Sequence, residues 1–118
     1  MDLESIRKYC LQKQSTTESF PFGEYTLVFK VCGKIFLLMS LDSQPLQFNV
    51  KCNPEKAEEF REAYSSVIPA FHMNKKHWNT IIMNGQVNSK MIREMIDDSY
   101  SLVVRSLPLK ERKKLEKI

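Results

Sequence analysis

Apolar side chains along this chain repeat first at helical spacing, then in strict alternation, then at helical spacing again. Leu3, Ile6, Cys10 and Leu11 share one helical face, which predicts a helix over 3–11 capped by Asp2, whose carboxylate suits the positive end of the helix dipole. The polar run Gln14–Glu18 ends that helix, and Phe20-Pro21-Phe22-Gly23 reads as a loop anchored by apolar residues. Two alternating runs follow. Tyr25, Leu27, Phe29 and Val31 form one apolar side; after a turn at Cys32-Gly33 the pattern resumes with Ile35, Leu37, Met39 and Leu41 opposite Phe36, Leu38 and Ser40. A third strand carries Leu46, Phe48 and Val50 inward and Gln47, Asn49 and Lys51 outward. This meander has one apolar face for helices to cover, and one mixed face bearing Thr26, Lys30, Gln47, Asn49 and Lys51.

Asn53-Pro54-Glu55 marks the start of a second helix, with Asn at the cap, proline in the first turn and an acid near the dipole. Ala57, Phe60, Ala63 and Tyr64 form its buried stripe. Val67–Phe71 reads as an edge strand, because Pro69 has no N–H for a central ladder. Trp78–Met83 reads as another, closed by Asn84-Gly85. Asn88 opens a long helix striped by Ile92, Met95, Ile96, Ser99, Tyr100, Val103, Val104 and Leu107; Pro108 interrupts it, and Leu109–Ile118 forms a short basic helix. Clustered strands with no crossover helix between the first three give an α+β two-layer domain, an antiparallel sheet with helices on one face. At 118 residues the chain makes one domain, 1–118.

Charge changes this picture only slightly. The net charge is +4, yet from Arg105 onward six basic residues stand against two acidic ones, and the residues before it carry twelve of each. The basic balance reports the tail, not the body. Three unpaired cysteines (Cys10, Cys32, Cys52), an N-terminus without a secretory pattern and the lack of a long apolar run predict a cytoplasmic protein with reduced thiols and no membrane partner.

Candidate chemistry concentrates in Pro69–Thr80, which holds both histidines, the one tryptophan and adjacent lysines. Three readings fit. As a nucleic-acid surface, Lys75 and Lys76 contact phosphates while His77, Trp78 or Phe71 stack. As a catalytic or metal site, His72 and His77 converge with Asp97 or Asp98. As a structural corner, Trp78 fills core and the lysines face water. Glycines Gly23, Gly33 and Gly85 are isolated turn residues and build no phosphate loop. Adjacent Asp97 and Asp98 point about 100° apart on a helix and cannot share one site.

Lys51–Glu58, Val67–Thr80 and Ser99–Val104, in that order and spacing, resemble the signature blocks of the YjbR/MmcQ family. The resemblance implies a frataxin-like (CyaY-like) α+β fold, no enzymatic reaction, no cofactor, and DNA binding through a double-wing arrangement of β-elements. It does not bring frataxin's iron with it, since the first helix sets only Asp2 and Glu4 against Arg7, Lys8 and Lys13. The expectation is therefore a monomeric DNA-binding module without a metal, contacting nucleic acid through Lys75, Lys76 and His77 with Lys30 and Lys51 in support. The alternative is a protein-interaction or regulatory domain.

Overall fold

The computed structural model describes residues 1–116. Four helices, α1 (Leu3–Leu11), α2 (Pro54–Ala63), α3 (Ser89–Ser106) and α4 (Leu109–Glu116), accompany six strands: β1 (Thr16–Ser19), β2 (Thr26–Val31), β3 (Lys34–Ser40), β4 (Gln47–Lys51), β5 (Val67–Pro69) and β6 (Trp78–Ile82). Lys117 and Ile118, the end of the expected basic helix, lie outside the described residues. Every strand pairing is antiparallel, in the order β1-β2-β3-β4-β6-β5. This is the α+β architecture the pattern predicts, with one strand more. The polar run read as the end of α1 continues as β1, which has no hydrophobic alternation to betray it.

The sheet has two unlike faces. Leu27, Phe29, Leu37, Met39, Phe48, Val50 and Ile81 stack across the strands on one face and join Ile6, Cys10, Ile92, Met95, Ile96 and Val103 of α1 and α3 in the core. On this same face Arg61 Nε of α2 donates to Asn79 Oδ1 (2.7 Å), and Asn79 Nδ2 donates to the Ala57 carbonyl (3.3 Å). Leu115 of α4 is buried in the same cluster. All four helices therefore cover one face. Within α2 the buried stripe is narrower than its spacing suggests: Ala57 is buried, Phe60 and Tyr64 are half-buried, and Ala63 is exposed.

One irregularity corrects the strand reading. Phe29 pairs with Leu37 but Lys30 pairs with Ile35, so Phe36 is an extra residue, a β-bulge. Strict alternation places Ile35 with Leu37; the bulge puts Phe36 there instead and turns Ile35 to the other face. Phe36 is fully buried, near Phe29 and edge-on to Tyr100 (centroids 5.3 Å). A bulge leaves ladder groups without partners, and α3 supplies them. The fully buried Ser99 hydroxyl donates to the Phe36 carbonyl (2.6 Å) and accepts from the Lys51 N–H (2.8 Å).

Helix starts follow the capping residues read from sequence. Asp2, Asn53 and Asn88 each accept a backbone N–H in the first turn of α1, α2 and α3. At the β2–β3 turn Cys32 (φ 48°) and Gly33 (φ 81°) both take positive φ, the two-residue form that matches strand twist. Asp97 of α3 accepts from Tyr9 (2.7 Å) and pairs with Lys13, whose ammonium lies 4.9 Å from the Tyr9 ring and 5.2 Å from the Tyr100 ring. Asp98 reaches the other way, to Lys56 of α2 (3.5 Å). The two carboxylates thus clamp α3 between its neighbouring helices.

Candidate nucleic-acid interface

Among the described residues no helix packs on the second face of the sheet. Strand alternation and register place Thr17, Thr26, Val28, Lys30, Ile35, Leu38, Ser40, Gln47, Asn49, Lys51, Ile68, Trp78, Thr80 and Ile82 on it. Val28, Leu38 and Thr80 at its centre are buried, and Thr80 donates to Asn49 Oδ1 (2.5 Å). The charges on this face are all of one sign. Lys30 and Lys51 lie on it, whereas the single strand acid, Glu18, turns to the helix side and pairs with Arg7 of α1 (2.6 Å). That ion pair holds the Glu18 carboxyl below its usual range.

Register brings distant residues into line. Thr17 pairs with Lys30, Lys30 with Ile35, and Lys51 with Trp78; the bulge sets Ile35-Phe36 beside Lys51. Thr17, Lys30, Ile35, Lys51 and Trp78 therefore form one row across the sheet, with Lys30 and Lys51 two strand spacings, about 10 Å, apart. Trp78 closes the row, half-buried. It lies on the open face and outside the hydrophobic core, so the reading in which the tryptophan fills core does not hold, although the residue is mostly buried as that reading expects. Its backbone is fixed on both sides, by β4 and by the Ala70 N–H donating to its carbonyl (3.1 Å).

The other candidates lie elsewhere. Residues 70–77 turn tightly after β5: Asn74 Oδ1 accepts from the Lys76 N–H (3.0 Å), the Asn74 carbonyl accepts from the N–H groups of His77 and Trp78, and the His77 carbonyl accepts from the Cys52 N–H (2.7 Å). Arg61 Nη2 donates to the Lys75 carbonyl. Lys75, Lys76 and His77 thereby line a cleft of about 400 Å³ with Pro54, Glu58 and Arg61, on the α2 side. Lys75 lies over the Phe71 ring (5.2 Å), which is itself 61% exposed. The five candidates form two groups: Lys30 and Lys51 on the open face, and Lys75, Lys76 and His77 at the end of the sheet beside an acidic helix.

The histidine–aspartate convergence does not form. His72 is exposed in the loop, and Asp97 and Asp98 are engaged by Tyr9, Lys13 and Lys56. Among the described residues no three His, Cys, Asp or Glu side chains gather closely enough to hold a metal ion, and no helix is long and apolar enough to cross a membrane. Cys10 is fully buried, and burial pushes its thiol up to about 12; Cys52 is raised for the same reason. Sequence reading missed the alignment of Trp78 with Lys51. The signal was present in the alternation of Trp78, Thr80 and Ile82 against buried Asn79 and Ile81, but the strand's polarity is inverted by a buried asparagine.

Comparison with known proteins places the chain among close kin. Residues 11–102 match the YjbR family. The chain is 34% identical to the Escherichia coli O157:H7 protein YbdF, over 95% of this chain and 92% of that one. It is 30% identical to YjbR of Escherichia coli strain K12, over 98% of each. Among solved structures, Deinococcus radiodurans protein DR2400, a DUF419 domain, superposes with a TM-score of 0.90 at 35% identity, covering 97% of this chain and 87% of that one. A Pseudomonas syringae protein superposes with a TM-score of 0.75 at 26% identity, covering 86% of this chain and 98% of that one. None of these relatives carries a name that states an activity.

Proposed function

The chain belongs to the YjbR family, and on that premise we propose that it is a nucleic-acid-binding module that acts by binding alone, through the open face of its sheet. The observation that supports this reading is the charge of that face. Lys30 and Lys51 stand on it without an acid, beside neutral hydrogen-bonding groups from Thr26, Ser40, Gln47 and Asn49. Phosphates attract lysines from any direction, while amide and hydroxyl side chains read sugars and base edges. Lys75 and Lys76 add charge at the end of the row, offset by Glu58 across their cleft.

Two to four phosphate contacts predict a shallow salt dependence, with log K falling against log salt at a slope of about −2 to −4. Fluorescence anisotropy of labelled DNA at several salt concentrations measures it. Replacing Lys30 and Lys51 together with glutamine should flatten the slope by about 2, and replacing Lys75 and Lys76 should do less. The rival source of charge is α4, tested by changing Lys110, Lys113 and Lys114 to glutamine; deletion is unsuitable because Leu115 is buried in the core. Loss of binding in the α4 variant, with the Lys30/Lys51 variant unchanged, would refute the open-face assignment.

A second reading has its own observation. Phe20, Phe22 and Tyr25, all in the β1–β2 loop, are 50%, 64% and 57% exposed, three aromatic side chains available to a protein partner. Should no nucleic acid bind at low salt, this loop is the surface to test, by light scattering for self-association and by cross-linking through a photoreactive residue at position 22.

A further inference from the structure

We infer that the open face takes single-stranded rather than duplex nucleic acid, with an unpaired base stacked on Trp78. This rests on the binding reading above and specifies its ligand. Shape supplies the first argument. A B-form major groove, about 12 Å wide, admits a helix or a two-stranded ribbon. Here the row crosses from β1 to β6, five adjacent strands of a six-stranded sheet, and at about 4.8 Å per strand it is far too broad to enter a groove. A duplex can touch such a face only along a tangent. A flexible single strand can lie along the row.

Chemistry supplies the second. Along that row lysines, which take phosphates, alternate with Ile35 and Trp78, which take sugars and bases. The last of these is a half-buried aromatic on a strand whose backbone is held from both sides. Stacking on a fixed aromatic beside a few cations is the general recipe for single-strand recognition, and on an open sheet it needs bases that are already unpaired. Nothing acidic among the strand residues of the face opposes the backbone, and the neutral Gln47 and Asn49 on the same face add no charge that would repel it.

The chain has one tryptophan, so its emission reports this position alone. Purified protein is titrated at low salt with a 12-nucleotide oligothymidylate and with a 12-base-pair duplex. The expected result is quenching of tryptophan emission by the single strand, at least tenfold tighter binding of it than of the duplex, and a loss of about five- to 150-fold in Trp78→Leu, the range for one stacked base. Trp78→Phe, which keeps an aromatic surface, should retain most of the affinity and guards against a folding defect in the leucine variant. Duplex binding as tight as single-strand binding, or single-strand binding unaltered in Trp78→Leu, would overturn this inference while leaving the binding reading intact. Failure of both ligands to bind overturns the binding reading itself.

Discussion

Ser99→Ala tests the packing of α3 on the bulged sheet. The Ser99 hydroxyl is fully buried and serves two main-chain groups at once, the Phe36 carbonyl at 2.6 Å and the Lys51 N–H at 2.8 Å. Both belong to the point where the bulge interrupts the β3–β4 ladder, which resumes only at Leu37 and Val50. Alanine removes both bonds and leaves a buried donor and a buried acceptor unmet, at about 1–3 kcal/mol each. Better helix propensity returns about 0.5 kcal/mol, so the net loss should be about 1.5–5.5 kcal/mol. With an unfolding entropy of about 2.1 cal/mol/K per residue, a domain of 118 residues should melt about 6–22 °C lower. Urea unfolding followed by circular dichroism measures the loss, and an unchanged m-value shows that the folded state is otherwise intact. Ser101→Ala, two residues along the same helix but exposed, isolates the propensity term and should be neutral or slightly stabilising. A Ser99→Ala midpoint equal to that of Ser101→Ala would refute the claim that this hydroxyl completes the ladder.

Other expectations follow from single contacts. Asn79 is 1% exposed and joins β6 to α2 through both ends of its amide; Asn79→Ala should cost about 2–3 kcal/mol in chemical denaturation, well above the roughly 0.5 kcal/mol of an ordinary surface substitution. Native alkylation at pH 8, followed by mass spectrometry, should modify Cys32 well before Cys10, which is inaccessible and shifted up to about 12, or Cys52, which is 6% exposed. Glu18 is held below its ordinary pKa of 4.5 by Arg7, so its contribution is complete above that pH and disappears as pH falls through and below it. Wild type should therefore lose more stability than Glu18→Gln between neutral pH and pH 3; parallel curves for the two proteins would exclude a role for the pair.

Fold was legible wherever apolar residues keep the period of their element. Helix starts at Asp2, Asn53 and Asn88 announce themselves through capping chemistry that acts over two or three residues, so nothing distant disturbs them. Strand β1 stayed hidden because Thr16–Ser19 earns its place by backbone pairing at an edge, without an apolar side chain to signal it. The bulge at Phe36 was equally silent: Ile35, Phe36, Leu37 and Leu38 are all apolar, and any frame of alternation fits four hydrophobic residues in a row. The candidate site depended on register. Lys30, Lys51 and Trp78 are far apart in sequence and meet only because three antiparallel pairings align them, which local spacing does not encode.

The same topology explains why net charge is a poor guide to where a polyanion can approach. Most of the chain's acids lie on helices, including Glu55, Glu58, Glu59 and Glu62 of α2 and Glu94, Asp97 and Asp98 of α3, and every helix packs on one face of the sheet. Of the strand lysines, Lys34 leans to the helix side, its ammonium near the Ser106 carbonyl at the end of α3 (3.4 Å), while Lys30 and Lys51 project the other way. The helices also carry most of the bases, Arg7, Lys8, Lys56, Arg61, Lys90, Arg93 and Arg105 among them, so charges on that side largely cancel, while the strand positions of the open face carry Lys30 and Lys51 without an acid. The helix acids lie on the far side of the sheet, and solvent-exposed charges farther apart than the Debye length of about 8 Å at physiological salt are largely screened from one another. A ligand on the open face is therefore largely screened from the helix acids and meets the lysines first. Lys75 and Lys76 lack that insulation, because Glu58 lines their own cleft. Local placement, not the count of lysines, is what favours Lys30 and Lys51 over the more conspicuous lysine pair.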